Sequence, residues 1–181
     1  SDLYVVLEGD RPAPLSAIIV EEGDAFAKRL GDPRVGAFVI GPGFPAGDAL
    51  DEQLAAALAS RTPLVLDAAA IPAALPHLEG GDTRAILTPH AGEFARAFPE
   101  ATGSKMDRAR AAAAQAHSVV IYKGADTVVA APDGRICAAW PGSPWLATAG
   151  TGEVLAWACG AMLARGGATF DAAVAAVGWH I

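Results

Sequence analysis

Five apolar runs of strand length, separated by segments of helical spacing, limit what this chain can fold into: Leu3 to Leu7, Ala37 to Ile40, Leu64 to Leu66, Ala85 to Leu87 and Val119 to Tyr122. Short continuous apolar runs suit strands buried on both faces, and such strands belong to parallel sheets covered by helices. Covering helices are available. Asp48 to Ser60 carries Leu50, Leu54, Ala57 and Leu58 at helical spacing, and Lys105 to His117 reads as an alanine-rich helix with Arg108 and Arg110 exposed. Thr127 to Ala131 and Arg135 to Ala139, joined by Pro132-Asp133-Gly134, read as a hairpin. The expected fold is therefore α/β, a mostly parallel central sheet flanked by helices with an antiparallel hairpin near its edge.

No repeat or low-complexity linker interrupts the 181 residues, and 52% hydrophobic content suffices for one core, so residues 1–181 read as a single domain. A strand-like segment begins within three residues of Ser1 and the sequence stops at His180-Ile181, which reads as a domain incomplete at both ends. A formal charge of -7 argues against a nucleic-acid groove or an anionic membrane as partner, since both are met through excess Lys and Arg. No stretch approaches the roughly 20 apolar residues of a membrane span and no signal peptide opens the sequence, so a cytoplasmic protein is expected. Cys137 and Cys159 are isolated and read as small buried apolar residues.

In open α/β sheets ligands bind beyond the carboxyl ends of the strands. Four such loops stand out: Gly41-Pro42-Gly43-Phe44-Pro45, Asp67-Ala68-Ala69-Ala70, Thr88-Pro89-His90-Ala91-Gly92-Glu93 and Lys123-Gly124-Ala125-Asp126-Thr127. They bring acid, base and cation to one rim. Each also has a plainer reading. The Gly-Pro-Gly run can be a simple turn, Asp67 a helix cap, His90 and Glu93 surface residues with Glu93 at a helix start, and Lys123 a solvated lysine. A metal pair at His90 and Glu93 is disfavoured because Gly92 opposes helix and no third ligand lies nearby. Ser104 and Ser143 lack the Gly-x-Ser-x-Gly elbow of a hydrolase nucleophile.

A fifth element, Thr148-Ala149-Gly150-Thr151-Gly152-Glu153, runs into the apolar segment starting at Val154. Its glycines let backbone approach a ligand, and a helix starting there would aim N–H groups and the positive end of its dipole at a phosphoryl group. The amides of Gly150, Thr151 and Gly152 are thus a candidate anion hole, with Glu153 placed to take a proton from a substrate hydroxyl. The plainer alternative is a flexible connector whose Glu153 only complements the dipole.

Together these elements resemble the ADP- or ATP-dependent NAD(P)H-hydrate dehydratases of the ribokinase-like superfamily. The match rests on Gly41 to Gly43, Pro63 to Ala68, Leu87 to Phe94, Lys123 to Thr127 and Leu146 to Ala156, in the same order across nearly the whole chain. Thr88-Pro89-His90-Ala91-Gly92-Glu93 is the most specific part, because kinases of the superfamily share the glycine loop. The resemblance implies repair of NADH or NADPH hydrated at C6 of the nicotinamide ring: the C6 hydroxyl is phosphorylated by ADP or ATP, and phosphate is then expelled by the push of the ring nitrogen. It implies that Gly43, His90 and Glu153 contact the hydrate, and that Lys123, Gly124, Ala125, Asp126, Thr127 and Gly152 contact the AMP portion of the nucleotide. Glu153 becomes the catalytic base and Mg2+ the shield of the phosphates.

Two departures stand against that pattern. The family ends its glycine loop in Asp where this chain has Glu153, and its members carry a preceding strand and glycine-rich segment and a continuation past His180. Part of the substrate site is then expected outside this sequence or from a neighbouring subunit, in a homo-oligomer. The rival readings are a small-molecule kinase of the same superfamily and a nucleotide-binding homologue without turnover.

Overall fold

Alternation of side chains along six strands gives the central sheet two apolar faces, and each face has its own layer of helices. The computed structural model describes residues 4–6, 19–21, 25–78, 84–139 and 150–181. Strands β1 (Tyr4–Val6) and β2 (Ile19–Glu21) form a parallel pair. Leu3 and Leu7, the ends of the first expected strand, lie outside the described residues, and β2 was not among the strands read from sequence.

The main sheet runs in the order β3 (Phe38–Ile40), β4 (Leu64–Leu66), β5 (Ala85–Leu87), β6 (Val119–Tyr122), β7 (Val128–Ala130) and β8 (Ile136–Ala138). The first four are parallel neighbours, and β7 and β8 add the antiparallel hairpin, with Val129 opposite Cys137. Parallel strands buried on both faces must be apolar at every position, and this is why continuous runs rather than alternation marked them.

Phe38, Ile40, Leu64, Leu66, Leu87, Val120 and Tyr122 face one core, and Val65, Ile86, Val119, Ile121 and Val129 face the other. The first core is closed by α1 (Ala25–Arg29), α2 (Asp48–Ala59), α3 (Ala70–Ala74), α4 (Ala91–Ala97) and α5 (Lys105–Gln115). They insert Phe26, Leu50, Leu54, Ile71, Phe94 and Ala109. The second core is closed by α6 (Thr151–Ala164) and α7 (Thr169–His180) through Leu155, Cys159, Leu163, Ala173 and Val177. Helix α6 lies close to the sheet because Gly160 has no side chain: a Cβ there would lie 2.6 Å from Val39 Cγ2. Among the described residues, no helix is long and apolar enough to cross a membrane.

Helix α5 starts where its cap dictates. Ser104 Oγ accepts from the Asp107 amide at 3.2 Å while the Asp107 carboxylate accepts from the Ser104 amide at 3.2 Å, a reciprocal capping box. Arg108 differs from expectation, being half-buried rather than solvated. Its guanidinium carbon lies 5.1 Å from the Phe94 ring centre and 5.3 Å from that of Tyr122, an arrangement that covers apolar surface and favours the cation. Cys159 is buried and Cys137 half-buried; burial pushes the Cys159 thiol up to about 12, so it stays protonated.

Several surface carboxylates are held below their ordinary range. Hydrogen bonds from Ser104 do this for Asp107, one from Lys105 for Asp126, and those of the Arg135 amide and guanidinium for Asp133. A folded pKa below the unfolded one gives stability that is complete above the unfolded value and lost as pH falls through the folded one. The melting temperature is therefore expected to hold from neutral pH down to about pH 4 and to fall below it, and a pH series of thermal melts checks this.

Candidate functional site

The four parallel strands end side by side, so the residues just beyond them share one rim. Backbone bonds extend the ladder past the strands: the Asp67 amide donates to Ile40 O at 3.0 Å, that of Thr88 to Leu66 O at 3.1 Å, and that of Lys123 to Pro89 O at 2.9 Å. The loops after β3, β4, β5 and β6 thereby hold one another in place.

After β3, Gly41 has φ +117°, and a Cβ there would overlap the Asp67 carbonyl oxygen, so no other residue fits. The Phe44 amide closes a turn onto Gly41 O at 3.0 Å, with Gly43 at φ +71° as its corner and nothing within 4 Å of a Cβ there. The run is a turn, and it leaves bare backbone at Gly43 facing open space.

Asp67 and Lys123 are 56 residues apart and form the pair at the centre of the rim. Lys123 Nζ donates to Asp67 Oδ1 at 2.9 Å, with only 15% and 6% of the two side chains exposed. Lys123 is therefore not a solvated surface lysine. Asp67 does not cap a helix either, since α3 has Ala69 at its N-cap and no side-chain cap bond. The ammonium also abuts the start of α6: a Cβ on Gly152 would lie 3.2 Å from Lys123 Nζ. Thus Lys123 and Gly152 are brought together, and no side chain of residue 152 intervenes.

The segment after β5 builds its own helix start. His90 is the N-cap of α4, its Nδ1 accepting from the Gly92 amide at 3.0 Å and the Glu93 amide at 3.3 Å, while Glu93 Oε2 accepts from the His90 amide at 2.8 Å. The expectation that Gly92 keeps this segment out of a helix is overturned. Its amide is satisfied by the cap, and the imidazole uses the space where a Cβ would come within 3.0 Å of His90 Cε1. Because Nδ1 accepts two N–H groups, the ring is the tautomer with its proton on Nε2, 3.4 Å from Glu93 Oε1, and 57% of the side chain is exposed. Phe94, one residue on, stacks on Tyr122 with ring centres 3.9 Å apart and planes at 9°, which ties the His90 segment to the Lys123 loop.

In the loop after β6, Gly124, Ala125 and Asp126 are exposed, while Thr127 is buried and its Oγ1 donates to Gly124 O at 3.1 Å. Lys105, which sequence reasoning missed, reaches this loop from α5 and donates to Asp126 Oδ1 at 2.8 Å. Gly150, φ 88°, is the N-cap of helix α6 and supplies no side-chain cap. Thr148 and Ala149 lie outside the described residues. Thr151 O lies 2.9 Å from His180 Nε2, a second contact that sequence reading did not anticipate, because it joins residues 29 positions apart. Glu153 is exposed in the first turn, and among the described residues nothing bonds or pairs with its carboxylate. The rim thus collects a fixed cation, a helix N-terminus, a tautomer-fixed imidazole and an accessible carboxylate.

A family profile described as NAD(P)H-hydrate dehydratase matches residues 12–181. The bifunctional NAD(P)H-hydrate repair enzyme Nnr of Gloeobacter violaceus is 43% identical over 149 residues, 80% of this chain and 29% of that protein. The ADP-dependent (S)-NAD(P)H-hydrate dehydratase of Neisseria meningitidis is 36% identical over 175 residues, 90% of this chain and 58% of that protein. Among solved structures, the ADP/ATP-dependent NAD(P)H-hydrate dehydratase of Bacillus subtilis co-crystallised with ATP and Mg2+ is similar with a TM-score of 0.72 and 29% identity, covering 91% of this chain and 61% of that one. A ribokinase-like superfamily protein of Enterococcus faecalis shares the fold, with a TM-score of 0.74 at 23% identity over 91% of this chain and 60% of that one. This chain spans less than two thirds of the length of each of these relatives.

Proposed function

The chain belongs to the NAD(P)H-hydrate dehydratase family, and from that membership we propose that it restores hydrated NADH or NADPH at the expense of ADP or ATP. The observation that carries this reading is the convergence of the Lys123 ammonium and the uncapped start of α6 at Gly152. Two positive features facing one bare backbone position suit a transferring phosphoryl group. Asp67 fixes the direction of the lysine, so little reorganisation is needed when the anion arrives.

On this reading Lys123, Gly124, Ala125, Asp126, Thr127 and Gly152 receive the adenine nucleotide, the amides of Gly150, Thr151 and Gly152 hold the moving phosphoryl group, and Gly43 and His90 contact the hydrate. Glu153 takes the proton of the C6 hydroxyl as that oxygen attacks the terminal phosphorus of the nucleotide, whose bond to the bridging oxygen breaks to release AMP from ADP or ADP from ATP. Elimination comes next: the ring nitrogen supplies the electron pair that breaks the C6–O bond, phosphate leaves in place of the much poorer leaving group hydroxide, and the cation so formed loses a proton from C5 to solvent to give the C5–C6 double bond of the reduced nicotinamide. Among the described residues no three His, Cys, Asp or Glu side chains gather as a metal cage, and the Asp67 and Glu93 carboxylates are already engaged. Mg2+ would accompany the nucleotide as the counterion of its phosphates, lowering their charge. The same reading puts the protein in the cytoplasm as a homo-oligomer, an assembly that sedimentation measures.

Phosphorus NMR of the reaction mixture tests the chemistry. The expected result is one inorganic phosphate per reduced nicotinamide formed and no lasting phosphorylated dinucleotide. A stable phosphorylated product marks a kinase instead, and bound nucleotide that is never consumed marks a binding protein.

A further inference from the structure

We propose that Lys105 is a positioning residue that holds the 123–127 loop in the shape that receives the adenine nucleotide, an inference that rests on the reading of that loop as the nucleotide site. Lys105 is the first residue of α5, directly after the Ser104 cap. A cation at that position opposes the helix dipole, so local helix chemistry does not account for it.

Its tertiary contacts do. The ammonium has three N–H groups and three neighbours: it donates to Asp126 O at 2.5 Å and to Asp126 Oδ1 at 2.8 Å, and it lies 4.7 Å from the centre of the Tyr122 ring. It also fills the inside of the loop, where a Cβ on Gly124 would come within 2.6 Å of Lys105 Nζ. Only 21% of the Lys105 side chain is exposed, against 66% of that of Asp126, so the lysine lies beneath the loop and the aspartate on top.

The loop is thus gripped from three directions, by Asp67 through Lys123, by Thr127 onto Gly124, and by Lys105 at Asp126. The first two grips involve residues of the loop's own ends. Lys105 alone of the three comes from a covering helix, and it secures the exposed middle. With two of its protons on Asp126 and its charge beside the Tyr122 ring, the lysine acts on a ligand through the backbone shape it imposes.

The test compares Lys105→Met with Arg110→Met, which removes one exposed cation from the same helix without touching the loop. Calorimetry with ADP and with ATP is expected to show affinity for nucleotide reduced roughly tenfold or more in Lys105→Met, with the nucleotide KM rising in step and kcat at saturation nearly kept. Amide exchange at residues 124–127 is expected to quicken. Arg110→Met is expected to change none of these. Wild-type nucleotide affinity and unchanged exchange in Lys105→Met overturn the proposal, as does an equal loss in both variants. If the unmutated protein binds neither nucleotide, the functional reading falls, and exchange at 124–127 still decides whether Lys105 holds the loop.

Discussion

Glu153→Gln is expected to lower kcat for dehydration by about 10²-fold or more while leaving adenine-nucleotide affinity almost unchanged. The carboxylate is exposed in the first turn of α6, and among the described residues no partner occupies it, so the substitution removes a proton acceptor and disturbs no contact. Its structural cost is limited to the loss of one acid near a helix N-terminus, roughly 0.3–1 kcal/mol. A hundredfold rate loss corresponds to about 2.7 kcal/mol of transition-state stabilisation, so instability cannot imitate the effect. Glu153→Asp, which keeps the carboxylate and shortens the side chain by one methylene, is expected to remain active. Steady-state kinetics on the three proteins decide the point, and a Glu153→Gln enzyme with unaltered kcat removes Glu153 from the chemistry.

Lys123→Met is expected to destabilise the fold by about 3–5 kcal/mol, the usual consequence of stripping a buried ion of its partner. Asp67 is 4% exposed, and its Oδ1 accepts from the ammonium at 2.9 Å, a bond that methionine cannot supply. For a chain of this size the melting temperature drops by roughly 6–20 °C. The companion variant Lys123→Met with Asp67→Leu separates two roles. Replacing both charges by apolar groups is often nearly neutral, so the double variant is expected to recover most of the stability and to recover no nucleotide affinity. Urea titration gives the first quantity and calorimetry the second. A Lys123→Met protein as stable as the parent contradicts the burial of the pair, and a double variant that binds nucleotide normally contradicts the part given to the ammonium.

The contrast between Asp67 and Leu66 shows how far sequence carries. Leu64 to Leu66, Ala85 to Leu87 and Val119 to Tyr122 were legible to the residue, because a strand buried on both faces needs uninterrupted apolar side chains. The hairpin was legible through Pro132-Asp133-Gly134, where Gly134 takes φ +89°. The loops at the strand ends were legible only as residue types. Nothing near Asp67 in sequence says that its partner is Lys123, and nothing near Lys105 says that it bonds to Asp126, because sheet order creates the first pair and the packing of α5 on β6 and β7 the second. Gly92 misled for a local reason. Helix propensity counts it as a breaker, while the His90 imidazole satisfies its amide. Short elements such as β2, α1 and α3, of 3, 5 and 5 residues, carry too few positions for a period to emerge.

The most direct measurement of the proposed repair activity tracks the near-ultraviolet absorbance of reduced nicotinamide after the protein is added to NADH hydrate or NADPH hydrate with Mg2+ and either ADP or ATP. Absorbance is expected to return only when one of the nucleotides is present, and Glu153→Gln is expected to slow the return. Protein that binds nucleotide yet restores no absorbance from either hydrate, with ADP or with ATP, contradicts the assignment.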